Sequence, residues 1–299
     1  MNRKILLFVS AIILNIQTGT CELPQPLAFY NFEDQSGDIV KDKASNNLDA
    51  EINRVDEINF DSSGAIKGST PGSSIDFQGG YLNALGITLD GIINDVPGQN
   101  SYTFSAWIKP SDLNGNKFLW GQTVQGIHNG IRNGGFLHQA HWGADTNGET
   151  NLNNLNGQWL HAAWVYDGDE DLGKMYLNGN LDWEGSKRAP NGSGTLIIGG
   201  SNGGGDNYRG LADDIAIWDQ VLDGNQIALL AGGMSPINAE SEDNDEDGIP
   251  DEYEIALFGN LNTLGNGDYD KDGLGDLLEF EGTTSPILAD SDKDGLNDG

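Results

Sequence analysis

The sequence predicts an all-β fold, a two-sheet sandwich, followed by an acidic tail of loops and short helices. Three observations predict it. Short apolar runs alternate with polar residues at the two-residue period of strands. The chain's 43 glycines, with dipeptides such as Asp167-Gly168 and Asn178-Gly179, supply tight turns between those runs. The net charge of −31 is also unevenly spread: residues 240–299 hold 19 acidic and two basic residues, net −17, and the other 239 hold 27 and 13, net −14.

Residues 1–21 are read as a signal for export. Asn2-Arg3-Lys4 leads into the apolar run from Ile5 to Ile16, which is shorter than the roughly 20 residues a membrane span needs. The mature protein is therefore expected outside the cell, secreted or on its surface. Cys21 is the single cysteine, which excludes an intrachain disulfide. It sits where a lipoprotein carries its lipidated cysteine. Thr18-Gly19-Thr20 lacks the expected Leu and small residue before it, so Cys21 is read as lying at the cleavage site. A charge of −31 repels phosphate, which excludes nucleic acid as a partner and also attachment to anionic lipid by charge alone.

The strand series opens with residues 27–32 and a polar turn over residues 33–37. Residues 102–108 follow, with Phe104, Ala106 and Ile108 alternating against Thr103, Ser105 and Trp107 until Pro110. Further strands are expected at 117–121, 135–142, 159–166, 174–177 and 195–198. The last, 208–218, places Asp213, Ile215 and Ile217 on one face and Asp214, Ala216 and Trp218 on the other. A helical turn over 225–231 ends at Gly232-Gly233 and Pro236. No period of 20 to 50 residues repeats in this region, and a dozen short strands over about 210 residues suit one sandwich.

Five segments in order resemble a family. They are Phe29-Tyr30-Asn31-Phe32-Glu33-Asp34, Tyr102-Thr103-Phe104-Ser105-Ala106-Trp107-Ile108, Gln158-Trp159-Leu160-His161-Ala162-Ala163-Trp164, Met175-Tyr176-Leu177-Asn178-Gly179 and Gly210-Leu211-Ala212-Asp213-Asp214-Ile215-Ala216-Ile217-Trp218. Together they resemble laminin G-like, concanavalin A-like jelly rolls, over a domain of residues 25–236. The resemblance implies a jelly-roll sandwich. The family holds lectins, adhesion modules and glycosidases, so it does not select a function. It also implies a cation tying the first strand's exit to the last strand, with Asp34 and Asp213 at the matching positions. The alternative role for Asp213 is capping a turn.

The tail carries the most specific chemistry. Asp243-Asn244-Asp245-Glu246-Asp247-Gly248 with Glu254, and Asp268-Tyr269-Asp270-Lys271-Asp272-Gly273 with Glu279, both fit the pattern D-x-D-x-D-G-x5-E. Calcium takes six to eight hard oxygens, and this spacing aims alternate carboxylates at one centre. The predicted ligands are Asp243, Asp245, Asp247, the Ile249 carbonyl, Asp251 and Glu254, then Asp268, Asp270, Asp272, the Leu274 carbonyl, Asp276 and Glu279. No entering helix precedes the first loop, unlike an EF-hand, and a short helix follows each loop, over residues 250–258 and 277–281. In this the segment 240–299 resembles bacterial thrombospondin type 3 repeats. A third loop begins with Asp290, Asp292 and Asp294 and stops at Gly299 before its closing ligand, so the sequence is expected to continue.

Catalysis finds little footing. No strand carries the Glu-x-Asp-x-Glu spacing of laminarinase-type glycosidases, whose retaining chemistry needs carboxyls about 5 to 5.5 Å apart. His161 has no partner residue nearby in sequence and is read as structural. His138, His141, Trp142 and Asp145 form a polar-aromatic cluster that could line a ligand face. No G-x-S-x-G is present, and the glycines at 199–205 lack a following Lys-Ser/Thr. The sequence therefore reads as an exported calcium-binding protein with a non-catalytic module for a glycan or a protein. The alternative is the accessory region of a larger secreted enzyme, such as a polysaccharide hydrolase, with its catalytic domain beyond residue 299. Sandwich and tail differ in composition and are joined by a polar stretch at 238–242, which predicts independent folding. Calcium titration of residues 240–299 should raise their helical circular dichroism and compact them; an unchanged spectrum at millimolar calcium would contradict the ligand assignment.

Overall fold

The computed structural model describes residues 23–33, 35–61, 64–65, 73–88, 101–124, 126–190, 193–201 and 206–237, and in the tail 245, 247, 249, 251–261, 267–282, 284–290 and 295–299. The export signal, Cys21, Asp34, Asp243, Asp292 and Asp294 lie outside them, as does the Asp251 side chain. Strands β1 (Ala28–Tyr30), β2 (Gln35–Ser36), β3 (Ile39–Val40), β4 (Ala50–Asn53), β5 (Ile58–Asp61) and β6 (Ser74–Phe77) come first. Then follow β7 (Tyr81–Thr88), β8 (Tyr102–Pro110), β9 (Lys117–Val124), β10 (His128–Arg132), β11 (Phe136–Ala140) and β12 (Asp145–Asn151). The series closes with β13 (Leu160–Asp167), β14 (Leu172–Leu177), β15 (Asn180–Ser186), β16 (Ser193–Ile198) and β17 (Gly210–Trp218). Three helices come after it: α1 (Gly224–Gly232), α2 (Asp251–Phe258) and α3 (Asp276–Gly282).

The strands form two antiparallel sheets, a jelly-roll sandwich. One runs β15-β14-β13-β8-β17-β6-β5, with β1 also paired to β17; the other runs β12-β11-β10-β9-β16-β7-β4-β3-β2. The alternation expected in β8 decides its packing: Phe104, Ala106 and Ile108 enter the core between the sheets. Phe104 stacks on Trp120 of the facing sheet, rings 4.6 Å apart and 5° from parallel. Lys187, just past β15, reaches the facing sheet from the other side. Its buried Nζ donates to Gln139 O at 2.8 Å, Ala144 O at 2.7 Å and Thr146 Oγ1 at 2.9 Å.

The last strand departs from the expected alternation. Ala212, Ile215 and Ile217 all lie in the inter-sheet core, which a regular period of two forbids. The register against β8 shifts between Asp213 and Ala216, and Asp214 takes a left-handed φ of 44°. A bulge there separates Asp213 from the face of Ile215.

Outside the first sheet lies a second core. Phe29, Val165, Tyr176 and Trp218 pack beneath Ile227 and Leu230 of α1. That helix starts on a capping box, Gln226 N to Asp223 Oδ1 at 2.9 Å and Asp223 N to Gln226 Oε1 at 3.0 Å, and ends at Gly233 with φ 104°. The opposite side of α1 is used as well. Leu229 is buried with Ile249 of the tail, and Leu257, Leu277 and Phe280 pack around them. Sandwich and tail thus share a small apolar core, which composition alone did not predict. Ile249→Ala should cost the full chain about 2–5 kcal/mol in urea denaturation; a change below about 0.5 kcal/mol would restore the picture of two independent parts.

Candidate functional sites

Both tail loops gather their acids. In the first, Asp245, Asp247 and Glu254 each offer a carboxylate oxygen, and these atoms lie within 4.8 Å of one another. Glu254 comes from α2 and is buried, and Ile249 N donates to Asp247 Oδ1 at 2.9 Å. In the second, Asp268, Asp270 and Asp272 are equally close. The turn is tied by Gly273 N to Asp268 Oδ2 at 3.2 Å, Asp272 N to Asp270 Oδ1 at 3.2 Å, and Leu274 N to Asp272 Oδ1 at 2.7 Å. Gly273 has φ 111°, the freedom its place in the motif requires. Asp276 Oδ1 accepts from Tyr269 N at 2.8 Å. The third loop starts alike, with Gly295 N on Asp290 Oδ2 at 2.9 Å. Its later residue Asp298 groups with Asp272 and Glu279 within 4.8 Å, so it adds to the second loop an acid that the repeat pattern placed in the third.

Glu279 is the telling residue. It is buried, and neither carboxylate oxygen has a hydrogen-bond partner among the described residues. Burial, then the charges of Asp270, Asp272, Asp276 and Asp298, push its pKa to about 8. Such a placement costs free energy unless a proton or a cation neutralises the group. The donor set is all oxygen, from carboxylates on a tight turn, and fits calcium.

Of the predicted corner at the first and last strands, Asp213 is among the described residues and Asp34 lies outside them. Pairing of β1 with β17, Tyr30 opposite Ile215, brings Glu33 beside the bulge. Asp213 is buried, and its two oxygens accept from Ala65 N and Asp214 N, each at 2.8 Å. Burial raises Asp213 to about 7 against those two bonds, with the charge of Glu33 adding to it; burial, Asp213 and Glu33 raise Asp214 further. The capping role is thus visible. Glu33 is the acid there that sequence reasoning did not single out.

The polar-aromatic cluster is reshaped. His138, Asp145 and Trp142 meet His128 and Arg132 of β10 on the outer face of the second sheet. Arg132 Nη1 donates to Asp145 Oδ2 at 2.6 Å and lies 3.3 Å from His138 Nε2, while His138 Nδ1 meets Asn147 Oδ1 at 2.8 Å. His128 Nε2 lies 3.7 Å from Asp145 Oδ2, and its ring is 6.2 Å from the exposed Trp142. Burial lowers both imidazoles, His138 to about 4. For Asp145 burial is outweighed by the Arg132 hydrogen bond and the nearby cationic groups, and its carboxyl stays low. His141 does not join this face. It is wholly buried between Tyr102 OH at 2.8 Å and Arg188 O at 2.7 Å. His161 is likewise buried, with Nε2 at 2.8 Å from Ser105 Oγ, and burial lowers it to about 3. That Ser–His contact lies in the interior.

Residues 84–228 match the family described as the concanavalin A-like lectin/glucanases superfamily, and the two antiparallel sheets have the jelly-roll form. Among solved structures, the chain is similar to domain 4 of AbnA, an extracellular GH43 arabinanase from Geobacillus stearothermophilus, in complex with arabinotriose. Identity is 21%, with 70% of this chain and 100% of that one covered and a TM-score of 0.50. It is also similar to the binding domain of Paraclostridial Mosquitocidal Protein 1, at 16% identity, 70% and 52% coverage and a TM-score of 0.50. The chain therefore spans all of the first relative and about half of the second. At these identities the likeness establishes the sandwich. The curated proteins yield no match. No helix among the described residues is long and apolar enough to cross a membrane.

The Glu279 placement yields a pH dependence. Its folded pKa, about 8, lies above the ordinary 4.5. In the absence of metal this contribution to stability is full below pH 4.5 and is lost as pH rises through 8. Cation binding must displace the proton, so calcium affinity should increase from pH 5 to pH 8. Glu279→Gln should bind more weakly and flatten that increase; an unchanged slope in calcium titrations would remove Glu279 from the site.

Proposed function

We propose that this chain is an exported calcium-binding protein whose jelly-roll module recognises a glycan without cleaving it. The observation that carries the calcium reading is Glu279, buried without a hydrogen-bond partner among the described residues and within 4.8 Å of the carboxylate oxygens of Asp272 and Asp298. Calcium there would be held by Asp268, Asp270, Asp272, Asp276 and Glu279, with the Leu274 carbonyl, and at the first loop by Asp243, Asp245, Asp247, Asp251 and Glu254 with the Ile249 carbonyl. It would neutralise a segment of net −17 and let α2 and α3 settle on α1. The tail then acts as a calcium-stiffened stalk of thrombospondin type 3 character, and residues 1–21 direct export.

A glycan is preferred to a protein ligand because the arabinanase domain of the same fold is in complex with arabinotriose. That domain belongs to a glycoside hydrolase, which also favours the second reading, an accessory region of a larger secreted enzyme. Under both readings the sandwich binds and does not hydrolyse; in support, the buried Asp213 gives both oxygens to backbone amides. The test is calorimetric calcium titration of the secreted chain, then a glycan array with calcium or chelator. Calcium should bind at two or more sites and raise the melting temperature, and at least one oligosaccharide should bind with no release of reducing sugar. Reducing-sugar release lost in Asp213→Asn would replace this reading with a hydrolase.

A further inference from the structure

A separate cavity of about 240 Å³ lies where the chain twice passes between the sheets, at the β6–β7 turn and in the segment leading from β16 to β17. Arg54, Lys117 and Arg209 line it, three of only 15 basic residues in the chain, facing Glu57 and Asp206. Four sequence-distant segments supply these groups. Hydrogen bonds and an ion pair hold several of them in place. Arg209 Nη1 donates to Gln78 O at 2.6 Å, Asn116 Nδ2 to Asp206 Oδ2 at 3.0 Å, and Asn207 Nδ2 to the Gly79 carbonyl. Arg54 lies 3.6 Å from Glu57.

The backbone is spent on this arrangement. Arg54 and Asp206 hold left-handed φ values of 56° and 51°, which non-glycine residues adopt at a cost and which concentrate at functional sites. Gly79, with φ 126°, keeps the floor open: a Cβ there would lie 2.7 Å from Glu57 Oε2 and 3.4 Å from Arg209 Nη2. A carboxylate and a guanidinium therefore flank one small space.

The chemistry selects the ligand. A guanidinium carries five N–H donors and a carboxylate about four acceptor sites, so both retain capacity beyond the bonds above. Asn207 Oδ1 is buried without a donor among the described residues. Sulfate only accepts, phosphate keeps few O–H donors, and the negative charge of either would meet the carboxylates of Glu57 and Asp206. Each sugar hydroxyl both donates and accepts. The volume falls below the roughly 300–1,000 Å³ of pockets for drug-sized ligands, which suits one ring.

We propose that this cavity seats a single neutral sugar ring, a terminal unit of the recognised glycan, with neighbouring hydroxyls bridging Arg54 or Arg209 to Glu57 or Asp206. This rests on the glycan reading above and names its site. The test is calorimetry of the full chain with neutral oligosaccharides of arabinose, xylose and glucose, and with oligogalacturonate as the acidic comparison. Wild type should bind a neutral oligosaccharide. Arg54→Ala and Asp206→Asn, the latter keeping a residue tolerant of left-handed φ, should each bind it about tenfold more weakly, as for loss of one charged hydrogen bond. Melting should be unchanged, and His138→Ala and Trp142→Ala on the outer face should retain affinity. Full affinity in both cavity variants, with loss in Trp142→Ala, would overturn this site and leave glycan recognition standing. Preference for oligogalacturonate would overturn the neutral class. Wild type binding none of these sugars would overturn site and glycan reading together.

Discussion

The sandwich depends on contact between its two sheets through a narrow set of aromatic side chains. Phe104 on β8 stacks on Trp120 of β9, Tyr102 meets the same indole edge-on at 5.2 Å, and Trp164 stands edge-on to Phe104 at 6.1 Å. Offset and edge-to-face geometries such as these add to the burial of large apolar area. Because β8 sits between β13 and β17, the cluster fixes the middle of one sheet against the other. Every site described lies at the margin of this core, where the sheets separate or where a strand carries polar residues outward.

The tail is governed by the opposite force. Carboxylates held on tight turns repel one another, and the apolar contribution of Ile249, Leu257, Leu277 and Phe280 is small. The same residues show how the two forces meet. Ile249 places its side chain against Leu229 of α1 while its backbone belongs to the first acidic loop. A cation bound in the loop would therefore also fix a contact with the sandwich.

The legible parts of the sequence were those whose meaning is local. The acidic loops place their carboxylates within twelve residues, so spacing alone brought Asp268, Asp270 and Asp272 together, and the structure groups them. The capped helix α1 and the strand alternation of β8 were readable for the same reason. Illegible features came from distant segments. His128 and Arg132 went unnoticed because β10, with Gly130 in its middle, offers no clean alternation. His141 reads as a partner of His138 three residues earlier, yet an odd spacing along a strand puts the two on opposite faces, and His141 turns inward to Tyr102.

By itself, the sequence determined the sheet-rich class, the position of the turns, the acidic tail and the spacing of its carboxylates, since each follows from residues a few positions apart. The tertiary structure alone decided that Glu279 is buried with Asp298 beside it, and that a bulge turns Asp213 away from the face of Ile215. It also decided that Arg54, Glu57, Asp206 and Arg209 surround one cavity. Those outcomes depend on which strands become neighbours and which loops meet at a crossover. That choice is made by burial summed over the whole core, and no local pattern carries it.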